Sequence, residues 1–487
     1  MKLSPNPRST WTPTHKGMYS GDKLLLRYPY TDNNQHNTDN NQHRRGADHL
    51  LAAIKKTRFG RFYLTYLKRL PWCRRLTQKT WSQAYRTYKK VQYLSNRASI
   101  TGPTESLPAL SLSAYCRINK TLINVLKLST NVETPPPCIQ PKIAERLLAS
   151  PHDKYTYPEI FVATLENATI FGATNLILAK RTVIHHDFFN IKYDYTSEEL
   201  HCRIYINTKR AEIKWKTDNA TPQVVDKAAS FTNACAFNYA HWITEILPQI
   251  SLFCSNSQYK DVPLIVDALL HPNIMDSLYR VAGDGREIII LNTNKSLLVK
   301  NLYDISVTGY VPFQPRKEHP PTLSHGLFSP DAFKCMKNNI FDNIKDTPQE
   351  NWPEWIYLRR NSDIRGLDNA EEIEENLASK GYAIVEPEKL SFAQQVLLFN
   401  NAKIIIGSSG AALANLVFAG SNTKIHILIG DYKKTSFWYW QNIACASGSK
   451  INYIIGACTK SNYTGIHSNF IIDINTLNIA LENMENT

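Results

Sequence analysis

Beyond a proline cluster at Pro135–Pro137, short apolar runs alternate with polar turns along the whole chain. Strands are predicted at Glu159–Leu165, Thr169–Leu178, Arg203–Asn207 and Ala211–Lys214, followed by a helix over Phe237–Phe253. A strand at Pro263–Asp267, a helix near Ile274–Ala282 and a strand at Glu287–Leu291 come next. Strands first, then a βαβ order, predict an open parallel sheet with antiparallel additions. From Trp355 the pattern sharpens. Strands are expected at Ile356–Arg360, Tyr382–Glu386, Ala402–Gly407, Lys424–Ile429 and Asn452–Gly456. Helices are expected over Ala370–Lys380, Ser391–Phe399, from about Ala411, and near Trp438–Ala446. Repeated units of this kind make a doubly wound, Rossmann-type domain. The expected fold class is therefore α/β, with two such domains facing a cleft.

The first hundred residues break this pattern. Residues 1–47 are polar and contain a tandem repeat, Thr31–Asn37 and Thr38–Arg44, whose His36 and His43 are read as solvated. Asp48–Arg97 reads as two basic helices split at Pro71, with Phe59, Phe62, Tyr63, Tyr66, Trp72, Trp81, Tyr85 and Tyr88 among the charges. Twenty Lys/Arg against four Asp/Glu lie in residues 1–100, whereas the rest carries 36 basic and 38 acidic residues. The whole basic excess of this 487-residue chain is thus N-terminal. Such a stretch suits an anionic membrane surface; phosphates of nucleic acid and a plain solvated face are the other readings. The expected division is 1–47 disordered, 48–134 a basic helical extension, 135–345 a first Rossmann-like domain and 346–487 a second.

Nine cysteines without a C-x-x-C pair suggest reduced thiols, with neither a disulfide framework nor a zinc site. No run of eighteen apolar residues occurs, and the first residues lack the apolar core of a secretory signal. The expected compartment is the cytosol, with peripheral association at the inner membrane face.

Three segments carry candidate chemistry. Small residues at Gly407-Ser408-Ser409-Gly410-Ala411-Ala412, between a strand and a helix, allow backbone N–H groups to approach an anion. The alternative is a tight, capped turn. Arg359, Arg360 and Arg365 suit a departing diphosphate, although neighbouring strand residues face opposite ways, so only one of the first two enters a cleft. Ion pairs with Asp363 or Asp368 are the alternative. In Asn238-Tyr-Ala-His241-Trp-Ile-Thr-Glu245, a helix would put three polar side chains on one face, where a carboxylate could serve as general base or belong to a satisfied network.

Together, in this order, these segments resemble glycosyltransferase family 61 (the DUF563 group), over about Glu166 to Gly430. The resemblance rests on Asn238, Tyr239, His241, Trp242, Glu245 and Pro248; on Arg359, Arg360, Arg365 and Asn369; on Pro387, Glu388, Leu390, Ser391, Phe392 and Gln395; and on Gly407, Gly410, Ala411, Leu413 and Asn415. Ser409 stands where the family commonly has histidine, and Leu358 where it has serine. The resemblance implies a GT-B fold and an inverting transfer from a nucleotide sugar to a glycan or lipid-linked glycan, in the bacterial capsule-type branch. It implies Glu245 as base with His241 and Asn238 beside it. Arg359, Arg360, Arg365, Glu388, Gly407, Ser408, Ser409, Gly410, Ala411 and Asn415 would hold the donor. No Asp-x-Asp sequence occurs, so no metal or cofactor is expected beside the donor itself. A non-catalytic protein that binds membrane or nucleic acid through its basic N-terminal region is the second reading. Retention of all five of Asn238, His241, Glu245, Arg359 and Arg365 counts against it, and no nucleic-acid partner is expected. A dinucleotide-dependent oxidoreductase is disfavoured, since no G-x-G-x-x-G follows an early strand.

Overall fold

The computed structural model describes residues 104–142, 154–201, 203–216, 222–293, 295–315, 326–345, 347–348, 351–362, 365–432, 438–459 and 467–485. The tandem repeat and the basic stretch Asp48–Arg97 lie outside these residues. The chain divides into two units, and every described residue falls in one of them.

Two large sheets organise that unit. The larger has eleven strands, in the order Ile204–Asn207, Glu212–Lys216, Thr104–Ser111, Thr182–His185, Ile177–Ala179, Ile160–Phe171, Ser296–Ile305, Gln223–Ser230, Leu264–Asp267 and Ile288–Leu291, with Ile123–Lys127 added against Ile160–Phe171. The last four of that series are parallel neighbours. Leu264–Asp267 among them is buried throughout, as befits a strand covered on both faces. The strands around Ile160–Phe171 are antiparallel.

Two expectations need correction here. Thr104–Ser111 and Ile123–Lys127 are strands of this sheet, although they fall where a helical extension was expected. Ile160–Phe171 is one continuous strand, because the polar break read at Glu166 and Asn167 is an exposed stretch of a strand held along its length by Ser296–Ile305.

The second sheet runs Ala383–Val385, Trp355–Leu358, Ile404–Ser408, Lys424–Gly430, Lys450–Cys458 and Phe470–Ile471, and Cys138–Gln140 joins it beside Lys450–Cys458. Its first five strands are parallel. The chain lays down the second strand outside the first, then the third on the first strand's other side. That reversal opens a crevice beyond the carboxyl ends of Trp355–Leu358 and Ile404–Ser408, the usual ligand position in doubly wound sheets. Pro135–Pro137 connects Ile123–Lys127 of the larger sheet, by way of Thr130–Glu133, to Cys138–Gln140 of the second.

The two sheets share one core. Trp242, Ile243 and Leu247 from the segment after Asn238 lie in the same buried cluster as Phe392, Leu413 and Leu416 from the second half. Complete burial of side chains this size stabilises by about 2 kcal/mol each, so the halves are joined by an apolar seam. The expected mixed α/β architecture is present, with the doubly wound order complete only in the second sheet. No helix among the described residues is long and apolar enough to cross a membrane.

Candidate active site

The base segment begins with a cap. Asn238 has extended backbone, and its side chain accepts a 3.0 Å hydrogen bond from the Ala240 N–H, which starts a short helix at Tyr239–His241. Asn238 thus serves first as a cap. The chain then makes a π-turn over Trp242–Ile246, not the uninterrupted α-helix expected from the sequence, before an α-helix over Leu247–Ser255. Two contacts shape the turn. The Thr308 hydroxyl donates to the Glu245 carbonyl at 3.0 Å, and Gly309 packs so closely that a Cβ there would lie 2.5 Å from the Thr244 carbonyl. Insertions of this kind cluster at functional sites.

His241 Nδ1 lies 2.5 Å from a Glu245 carboxylate oxygen, with the two side chains 17% and 13% exposed. The pair is therefore largely desolvated yet still reachable. Burial opposes an imidazolium, but the charge of Glu245 and its hydrogen bond outweigh it and raise the His241 pKa above its ordinary 6.5. The imidazole also stacks on Phe313, with ring centroids 5.9 Å apart and planes at 15°. Both residues line an open cavity of about 470 Å³ whose wall includes Glu198, Asn233, Tyr310 and Phe313. Beneath it, Asp267 accepts hydrogen bonds from Asn233 N–H (2.8 Å) and Ala173 N–H (2.5 Å), and burial lifts its carboxyl pKa to about 6.

The arginines separate as the alternation of side chains requires. Arg359 is fully engaged: Nε and a terminal nitrogen reach Glu374 at 2.9 and 2.5 Å, and the other terminal nitrogen reaches Glu386 at 3.1 Å. Its ion-pair partners are other than the Asp363 and Asp368 considered from sequence. Arg360 turns the other way, against Gly410, where any Cβ would fall on its guanidinium. Burial and the neighbouring Arg365 press the Arg360 pKa down to about 10, with exposed Glu388 acting in the opposite sense. Glu388 accepts a 2.6 Å hydrogen bond from Asn361. Arg365 is lowered by burial, and its buried Nε has no hydrogen-bond partner. Its backbone lies at φ +57°, a left-handed conformation costing about 1 kcal/mol for a non-glycine residue. Arg360 and Arg365 are thus two partly desolvated guanidinium groups within electrostatic reach of each other.

The small-residue turn divides by role. Gly407 packs on Leu358, with 3.1 Å left for a Cβ, and belongs to the strand Ile404–Ser408. Ser408 Oγ is buried without a hydrogen-bond partner. The Ser409 hydroxyl accepts from Trp440 Nε1 at 3.0 Å, which fixes its oxygen and leaves its own O–H to donate. From Ala411 the chain forms a 3₁₀-helix to Phe418 with no side-chain cap, so the amides at Ala411 and Ala412 begin a helix facing the crevice. Asn415 is fully buried and joins two segments. Its Oδ1 accepts from the Tyr239 hydroxyl at 2.7 Å, and its Nδ2 donates to Gln395 Oε1 at 2.7 Å.

This chain of bonds pins the segment carrying Glu245 to the turn carrying Gly410. Asn415→Leu would leave Tyr239 and Gln395 unpaired in the interior, so urea unfolding should show a loss of about 2–4 kcal/mol, with Asn415→Ala also destabilising. A second link escaped sequence reading. The Tyr439 hydroxyl pKa is raised by burial first and by Glu245 next, while a Thr244 hydrogen bond and Arg365 act against them, so both charged groups act on it. Tyr439, Tyr310, Phe313, Glu198 and Asn233 belong to no local motif. Only the long-range packing of strands and loops gathers them.

Among the described residues no group of three His, Cys, Asp or Glu side chains is arranged to hold a metal ion. Residues 239–426 match the family model described as Glycosyltransferase 61. No curated protein matches the chain. The matched span opens at Tyr239 and takes in Glu245, the arginine strand and the Gly410 turn, the same segments the fold brings to one place. Over residues 239–426, less than half of its length, the chain is thus similar to glycosyltransferase 61.

Proposed function

We propose that the protein transfers a sugar, with inversion, from a nucleoside-diphosphate donor to a glycan hydroxyl in surface or capsular polysaccharide synthesis, on a GT-B-type arrangement of its two halves. Glu245 takes the acceptor hydroxyl proton as the oxygen bonds to the anomeric carbon. The bond to the diphosphate breaks on the opposite face, and Arg360, Arg365 and the amides at Gly410–Ala412 receive the departing charge. His241 holds the Glu245 carboxylate in its rotamer, and Asn238 sets the turn that presents both. The single observation supporting this reading is that the segment bearing the partly accessible Glu245 carboxylate is hydrogen-bonded through Tyr239 and Asn415 to the turn against which Arg360 packs.

Thermal shift with nucleoside diphosphates and their sugars tests the donor half. A ligand that binds only the folded chain at a hundred times its Kd stabilises by about 2.7 kcal/mol, seen as a raised melting temperature. A rise with diphosphates but not with nucleosides is the expected result. Equal response to both would remove the diphosphate from the site.

A further inference from the structure

The helix Leu112–Asn119 and the strand Ile123–Lys127 carry an outward apolar surface that the transferase reading does not use. Ile118 is 65% exposed, Leu122 74% and Leu128 76%, with Ile123 and Val125 also exposed. These five aliphatic side chains fall within eleven residues. Alternation explains the strand's part: Asn124 turns inward to hydrogen-bond Gln258 and Tyr259, so Ile123 and Val125 must face out. Ile123–Lys127 is paired on one side only, with Ile160–Phe171, and so borders the sheet.

The charges carried by this stretch itself are basic, and the acidic Asp187 and Asp331 are held at its two ends by Ser113 and Thr130. Arg117 and Lys120 are exposed and Lys127 is half-buried, while no Asp or Glu occurs from Leu112 to Val132. The strand alongside contributes Ile160–Ala163, and Glu159, just before it, brings an acidic group to that end. Protein interfaces draw their energy mainly from Trp, Tyr and Arg in packed pockets, and leucine is under-represented there. Separate aliphatic chains projecting from turns with basic neighbours match instead the boundary between anionic headgroups and acyl chains.

We propose that this surface, Arg117 to Leu128, docks the protein on an anionic lipid bilayer, with Leu122 and Leu128 entering the acyl boundary and Arg117, Lys120 and Lys127 lying among the headgroups. The helix places the docked surface near the chemistry. Leu112 at its start lines a second cavity, which shares Asn175, His185, His186 and Asn233 with the one containing Glu245. Six steps of about 1.5 Å from Leu112 put Ile118 about 9 Å along the helix from that cavity. On the transferase reading above, the acceptor would then be lipid-linked; the docking itself does not depend on that reading.

Flotation of the full chain with vesicles of phosphatidylcholine and phosphatidylglycerol tests it, at about 0.1 M and about 1 M salt, where the screening length falls from about 10 to about 3 Å. Binding through the basic N-terminal region alone would vanish at high salt. Insertion of aliphatic chains persists. The wild type should float at both salts, and the Leu122→Ser/Leu128→Ser variant should lose at least about tenfold in partitioning at high salt, since each lost aliphatic contact is worth about that much. Both positions are exposed, so an unchanged melting temperature serves as the folding control. Equal high-salt flotation of variant and wild type overturns the proposal. So does a wild type that floats at neither salt, including one that self-associates through this surface instead. Thermal shift with nucleoside diphosphates is read on the same samples, so loss of docking and failure of the donor site register separately.

Discussion

Replacing Glu245 by glutamine is expected to reduce sugar transfer about 10²–10⁴-fold, the usual contribution of a positioned general base, while nucleoside diphosphates continue to bind. The amide keeps the shape of the side chain and removes its ability to take a proton. It also removes the charge that raises the His241 pKa, so the pair at 2.5 Å loses its charge assistance. Because the Glu245 carbonyl, not the carboxylate, receives the Thr308 hydroxyl, the π-turn should survive the substitution. Circular dichroism and a normal thermal response to diphosphates would establish that. Near-normal transfer by a folded Glu245→Gln enzyme would assign the proton to another group, and Tyr439 or His241 would be the next to replace.

The arginines give the second large effect, and they give it unequally. Arg360→Ala and Arg365→Ala should each weaken donor binding and turnover together, by about 10²–10³-fold in kcat/KM, as expected when a donor to a developing oxyanion is lost. Arg359→Ala should act mainly on stability, since its fork is already spent on Glu374 and Glu386. Steady-state kinetics of the three variants, with donor concentration varied, separates these roles. Gly410→Ala should resemble Arg360→Ala, because the added methyl group displaces that guanidinium. If Arg359→Ala proved the most damaging to donor affinity, the assignment of faces would be reversed.

How far the sequence reveals this site depends on how local each constraint is. The second sheet was readable almost element by element, because buried strands such as Ile404–Ser408 and capped helices such as Phe392–Asn401, with its Ser391–Gln394 capping box, announce themselves within ten residues. The divergence of Arg359 and Arg360 followed from side-chain alternation, even though the regular strand stops at Leu358. Which arginine faced inward did not follow. Glu374 and Glu386 decide it, from another helix and another strand's end.

The π-turn was partly hidden for a similar reason. Pro248 gives a local sign, since it lacks the N–H that the Thr244 carbonyl would accept in an α-helix, but Thr308 and Gly309, more than sixty residues along the chain, also shape the turn. Asn415 read as a ligand because it closes a motif, and its partners Tyr239 and Gln395 also make it the rivet between the halves. The strand Ile123–Lys127 was missed because exposed aliphatics on a border strand lack the one-sided burial that alternation detects, and Thr104–Ser111, paired on both sides, is disguised by Pro108 within it.

The most direct measurement is a crystal structure of the protein with a nucleoside-diphosphate sugar. The diphosphate should lie within hydrogen-bond reach of Arg360, Arg365 and the Gly410–Ala412 amides, with the anomeric carbon open toward Glu245. A diphosphate bound elsewhere, or an anomeric carbon turned away from that carboxylate, would contradict the single cleft on which the chemistry depends.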